Sequence, residues 1–394
     1  MSLAVQKPEL VPLAYQRQVV AHLLATEPEV WAWAASNTVQ AQHAEEMRAA
    51  VLRQTYRLEP DAHPEIHETC RKAMAALEID APVTLYQAAD GAMNAALCFV
   101  PGEIHIVFHG PILERLSPEQ QLALMGHELA HYRLWSENDG QFHVASRILD
   151  HALTYPNLAG SHLETARLYG LHTELYADRG GALAADGAEP AIATLVKVMT
   201  GLPNVDPAAY LRQAAELSTE GGGSQGETHP EIFLRAQALD GWWKGEADLE
   251  SWLDKRVRGP LSITALDLLR QDEMMRMTRV FFSRLLADPS LRGDEVLTQV
   301  RRFFPDWREA EADAKFEPLA AEGLDDATRE YLIALAFDCA MADPDARDEV
   351  LLAAARIARD IGGLEQFRTA LKRDLKFTKA ASDKLIGRLG RPAG

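Results

Sequence analysis

Five consecutive residues, His127-Glu128-Leu129-Ala130-His131, carry the groups for one specific chemistry. They read H-E-x-x-H. Residues four apart share a helix face, so both imidazoles can converge on one metal ion, with Glu128 beside them to take a proton from a water the ion activates. An ion paired with a carboxylate base is the equipment of a zinc-dependent peptidase. A catalytic zinc takes three protein ligands and leaves a fourth position open, so a third ligand must come from elsewhere. Glu174, within Glu174-Leu175-Tyr176-Ala177-Asp178, is the best candidate. Glu174 and Asp178 fall on the same helix face. The first can bind metal while the second accepts a hydrogen bond from a ligand imidazole and fixes its tautomer. His143, His151, His162 and His172 are rival ligands. Tyr132-Arg133-Leu134-Trp135 follows His131, which excludes the H-E-x-x-H-x-x-G-x-x-H subclass.

The motif needs a helix to hold it. Ser117-Pro118-Glu119-Gln120 opens one: Ser117 as N-cap, Pro118 at the first helical position, Gln120 closing a capping box. That helix is expected to reach about Trp135. Two more are expected over Phe142–Thr154 and from Ser161 to about Ala185. Upstream, Leu13–Thr26, Glu29–Leu58 and 64–78 read as helices. Val83–Tyr86, Ala95–Val100 and Glu103–Phe108 are short and rich in β-branched or aromatic residues, with a turn at Pro101-Gly102, and read as a small sheet. Glu103–Phe108 is taken as an exposed edge beside which an extended peptide could add. Glu220–Gly226 is a linker by composition and suggests a mobile loop. Beyond Gly259-Pro260 the pattern is helical: about 261–286, 293–304, 326–341, 345–361, 364–375 and 379–389. The expected fold class is α+β, mainly α. Its domains are an N-terminal helical segment (1–58), a zincin metallopeptidase domain with a small sheet (59–258) and an all-helical domain (259–394).

The chain resembles the zinc metallopeptidases typified by HtpX, the CAAX prenyl proteases and the Oma-type proteases, the gluzincins of metallopeptidase family forty-eight. Four pieces match in order over roughly 60–240: Asn94-Ala95 leading to Pro101-Gly102-Glu103-Ile104; His127–His131; Glu174 with Asp178; and Thr228-His229-Pro230 with Arg235 six residues after the histidine. The resemblance implies one zinc ion per chain, held by His127, His131 and Glu174. Glu128 would be the base, His229 would stabilise the transition state, and Arg235 would orient the region by pairing with Asp178 or another carboxylate. It implies a protein or peptide substrate. Phe337–Asp343 with Glu349 and Leu351–Asp360 resembles a TerB-like helical domain, for which a regulatory or partner-binding role is expected.

Composition bounds these readings. The 394 residues carry a formal net charge of −18, which disfavours nucleic acid and anionic membrane as general partners. The three cysteines, Cys70, Cys98 and Cys339, are far apart and form no C-x-x-C, so a reducing cytoplasm is expected. No apolar run approaches the roughly 20 residues that cross a bilayer, so a membrane-embedded enzyme is not expected. The basic residues from Lys372 to Arg391 could dock on the acidic remainder of the protein or on a partner. The competing readings are a latent enzyme and a non-catalytic zinc-binding scaffold for client proteins.

Overall fold

The computed structural model describes residues 7–89, 91–154, 160–217, 224, 231–308, 311 and 323–390, the side chains of 37–43 and 390 aside. The chain divides into two compact units, Met1–Gly259 and Pro260–Gly394. It is α+β and mainly α, with one four-stranded sheet among the described residues.

The first unit opens with α1 (Ala14–Thr26), α2 (Pro28–Ala34) and α3 (Asn37–Gln54). The single helix expected over Glu29–Leu58 is therefore interrupted at Ala35-Ser36, and it stops at Gln54. Thr55–Arg57 leaves it as strand β1, antiparallel to β2 with Tyr56 opposite Gln87. The reason is local: Thr55 Oγ1 bonds back to the Val51 carbonyl at 2.7 Å, and a β-branched residue followed by an aromatic suits a pleated surface better than a helix. After α4 (Pro64–Ala76) come β2 (Val83–Ala88), β3 (Asn94–Val100) and β4 (Glu103–His109).

Strand order is β1-β2-β4-β3. β4 runs parallel to β2 and antiparallel to β3, with Leu85 and Leu97 both opposite Ile106. The edge expected at Glu103–Phe108 is thus corrected: β4 is central, and β3 and β1 are the edges. Burial explains why. Ile104, Ile106 and Phe108 are fully buried on one face, and Val107 packs with Val51 and Tyr86 on the other, the two-sided apolar pattern of an interior strand. To reach β3 the chain must step over the end of β4. Gly110, at φ +60°, lies so close beneath that crossing that a Cβ there would meet the Gly91 carbonyl oxygen at 2.5 Å.

α5 (Ile112–Arg115) leads to α6 (Pro118–Ser136), then α7 (Gln141–Leu153), α8 (Gly160–Ala184), α9 (Ala188–Thr200), α10 (Pro207–Leu217), α11 (Ile232–Lys244) and α12 (Leu249–Leu253). α9 to α12 have no counterpart in the sequence reading. The capping box forms as read: Ser117 Oγ accepts the Gln120 amide at 3.4 Å, and Gln120 Oε1 accepts the Ser117 amide at 3.0 Å. α6 and α8 pack along each other at the centre of the unit, buried on nearly every side. Their seam is made of small residues. A Cβ on Gly126 would collide with the Ala184 methyl and approach the Gly180 carbonyl oxygen to 2.6 Å. One on Gly180 would collide with the Ala130 methyl. The two backbones therefore touch directly.

In the second unit α13 (Leu268–Leu285), α14 (Asp294–Phe303), α15 (Asp326–Ala342), α16 (Arg347–Asp360), α17 (Leu364–Arg373) and α18 (Lys379–Gly387) close on a core that includes Phe281, Phe282, Leu332, Leu351 and Phe367. The helix expected from residue 261 begins only at Leu268. Asp267 caps it through the Arg270 amide at 2.7 Å, and the stretch before it is a turn, the Ala265 amide bonding the Ser262 carbonyl at 3.2 Å, after an isolated bridge at Leu261 whose amide bonds the Gly323 carbonyl at 2.8 Å. In the basic tail, Arg373 reaches Glu330 at 3.9 Å and Arg388 reaches Glu349 at 3.4 Å, so these two arginines have acidic partners within their own unit. No helix among the described residues is long and apolar enough to cross a membrane.

Candidate metal centre

His127 and His131 sit in the middle of α6, and Glu174 sits on the facing side of α8. The Gly126/Gly180 seam holds those two backbones together, and that close approach lets short side chains from both helices meet. The two Nε2 atoms lie 3.3 Å apart. Glu174 reaches across to both, 3.6 Å from His127 Nε2 and 3.7 Å from His131 Nε2. One ligand atom from each of these three side chains lies within 4.8 Å of the others, and they are the sole such group of three or more His, Cys, Asp or Glu among the described residues.

One turn further along α8, Asp178 is 3 % exposed and accepts a hydrogen bond from His127 Nδ1 at 3.1 Å. A carboxylate only accepts here, so the proton sits on Nδ1 and the Nε2 lone pair points at the centre. Arg235, from the first turn of α11, grips the same carboxylate with two bonds, Nε to Oδ2 at 2.8 Å and Nη2 to Oδ1 at 2.6 Å, and lies 3.2 Å from Glu174. This two-pronged, charge-assisted pairing fixes both angle and distance. The arrangement fits a divalent ion: two imidazole nitrogens and a carboxylate aimed at one point are the donor set of a three-ligand site.

The titration behaviour follows from crowding. Burial works against a charged His127, but the Asp178 hydrogen bond and the charges of Glu174, Asp178 and Glu128 outweigh it, and its pKa rises. For His131, burial and the neighbouring His127 push the pKa down to about 4. Burial raises Glu128, which is 5 % exposed and takes a backbone hydrogen bond from Leu97 on β3. Burial would raise Asp178 too, but the charge and hydrogen bonds of Arg235 hold it below the usual carboxylate range.

The centre lines a cavity of about 650 Å³. β3 borders it with Asn94–Leu97, α9 with Leu195 and Val198, and α7 with Ser146 and Asp150. His229 falls outside the described residues, as do its neighbours Thr228 and Pro230 and most of the Gly-rich linker, including Gly221–Gly223. The four rival histidines stand elsewhere. His143 packs against Phe99 and Trp135, His151 against Trp33, His162 faces Glu27 at 2.8 Å, and His172 bonds the Leu168 carbonyl while stacking on Tyr15. Asp150 was missed by sequence reasoning. On α7 it looks like an ordinary solvated helix residue, and nothing in its spacing separates it from one.

No curated protein and no solved structure shows a significant match to the chain. Residues 60–243, which span β2 to β4, both ligand helices and the Arg235 turn, match the model of Peptidase family M48. Over that stretch, 184 of 394 residues, the chain is similar to the peptidases of family M48.

Proposed function

We propose that the chain is a zinc-dependent endopeptidase of the HtpX-like, gluzincin kind, in which His127, His131 and Glu174 hold one ion. The observation that carries this reading is the convergence of two imidazoles and a carboxylate from different helices at one wall of a cavity, with Glu128 on the same wall. Zinc held there supplies Lewis acidity and brings the pKa of water to about 7. Glu128 takes the attacking water's proton and delivers it to the leaving amine. Asp178 keeps His127 in the tautomer that presents Nε2, and Arg235 keeps Asp178 charged and still. His229, three residues before α11, is assigned to the developing oxyanion. The substrate backbone adds along β3, whose outer edge has no strand partner in the described sheet.

The reading extends to a peptidase domain over 59–258 preceded by a helical segment (1–58), and to a TerB-like regulatory or interaction role for 259–394. Three free thiols fit a reducing, cytoplasmic setting. The test is Glu128→Gln. Zinc should stay bound, measured by metal analysis, while cleavage of a peptide library falls by roughly 10²–10⁴-fold. Cleavage retained at the wild-type rate would overturn the mechanism. A scaffold reading gains only if the wild-type protein, loaded with zinc, binds peptides and cuts none.

A further inference from the structure

The charges that line the cavity do not balance. Among the described residues, Glu128, Glu174, Asp178 and Asp150 contribute four carboxylates, and Arg235 is the lone Lys or Arg on the wall. Arg235 is spent on Asp178 and Glu174. An ion at the three-ligand centre would answer the charge at that end, but not at the other. Asp150, on α7, accepts a hydrogen bond from Ser146 Oγ at 3.2 Å and pairs with no cation among the described residues.

Its position along the cavity can be gauged from α8. Ala166, Gly170, Glu174 and Asp178 recur every four residues and line the cavity together with Tyr169 and Thr173. Asp150 lines the same cavity wall as Tyr169, whose phenol pKa its charge helps raise. Tyr169 precedes Glu174 by five residues, roughly 7.5 Å along the helix axis. An extended peptide advances about 3.3 Å per residue, so that offset corresponds to roughly two residues from the bond at the centre. Side chains two apart point the same way. One of them, if long and cationic, would arrive at Asp150.

Given the peptidase reading above, on which this rests, we infer that Asp150 is the specificity carboxylate of a subsite for a cationic nitrogen of the peptide, an ammonium or guanidinium group roughly two residues from the cleaved bond. Asp150 is open to solvent from the cavity, yet the surrounding protein strips away enough water to raise its carboxyl pKa. A cation arriving there replaces poor hydration with a charge-assisted hydrogen bond.

The experiment scans one lysine, against norleucine, through each position flanking the cleaved bond of an acetylated peptide. A parallel set has a free α-amine and no lysine. kcat/KM is read for the wild-type protein and for Asp150→Asn and Asp150→Lys. The expected result is about a tenfold preference for lysine at one position, lost in Asp150→Asn and turned toward glutamate in Asp150→Lys. A preference that follows the free amine supports the same subsite with the amine as its occupant. A flat scan, with the library still cleaved, overturns the subsite and leaves the peptidase reading standing. So does a lysine preference that survives in Asp150→Asn. If the wild type cleaves nothing, the peptidase reading fails. The same peptides, fluorescently labelled, are then bound to Glu128→Gln, and equal Kd values for lysine and norleucine overturn the subsite independently. The lysine–norleucine comparison needs no substitution at Asp150, so a misfolded variant cannot shield the inference.

Discussion

Asp178→Asn isolates the carboxylate between the metal centre and Arg235. Asp178 accepts three hydrogen bonds, two from Arg235 at 2.8 and 2.6 Å and one from His127 at 3.1 Å. Asparagine keeps one acceptor oxygen and turns an NH₂ toward a donor. The Arg235 guanidinium is then buried with its main counter-charge gone, a situation that costs about 3–5 kcal/mol when one partner of a buried pair is removed. Glu174 still lies 3.2 Å from Arg235, so the lower end applies. At 2–4 °C per kcal/mol for a unit of this size, about 3 kcal/mol lowers the apo-protein's melting temperature by roughly 6–12 °C. Zinc affinity, from chelator competition, should fall by roughly 10–100-fold because His127 loses the acceptor that fixes its tautomer. The two readouts are separable. Asp178→Glu, which restores the charge with displaced geometry, should recover more stability than affinity. Unchanged melting and unchanged zinc affinity in Asp178→Asn would refute the coupling of Arg235, Asp178 and His127.

Further outcomes follow from the same geometry. Zinc at a hundred times its Kd should stabilise the protein by about 2.7 kcal/mol, a rise of roughly 5–10 °C in a thermal melt, and His131→Ala should abolish that rise; an equal rise in the variant would remove His131 from the centre. Gly180→Ala should cost about 1–3 kcal/mol by wedging α6 from α8, and it should weaken zinc binding although it touches no ligand; intact affinity would mean the seam does not set the site. Burial raises the thiols of Cys70 and Cys339 to about 12, so near pH 8 roughly one in ten thousand is thiolate, and neither should react with a thiol reagent until the protein unfolds. Labelling of either at the rate of a free thiol would contradict their burial.

The parts of the site that rest on local sequence were legible. A capping box, a helical period and two histidines four apart fix α6 and the direction of its imidazoles, and the Glu174–Asp178 spacing does the same on α8. What sequence could not supply was the meeting of those helices. Its signal was there in Gly126 and Ala130 against Gly180 and Ala184, small residues four apart on each helix, but glycine in a helix reads first as a weak helix former. Strand order was misjudged for a similar reason. Short apolar runs reveal that β4 pairs with β3 across a tight turn, but not that β2 lies on its other side, since that parallel pairing depends on a crossing at Gly110 with no period of its own. Thr55–Arg57 was absorbed into the helix before it, because three residues are too few to outvote eighteen.

The Gly126/Gly180 contact also divides what the cavity can change from what it cannot. α6 and α8 meet backbone to backbone, so neither can trade side-chain size against the other, and a substitution there moves the ligands. α7 and α9 contribute Ser146, Asp150, Leu195 and Val198 to the cavity, and none of them is among the proposed ligands. Drift or selection can rewrite those walls one residue at a time without disturbing the metal. A library confined to α7 and α9 should yield altered cleavage preferences at undiminished zinc affinity.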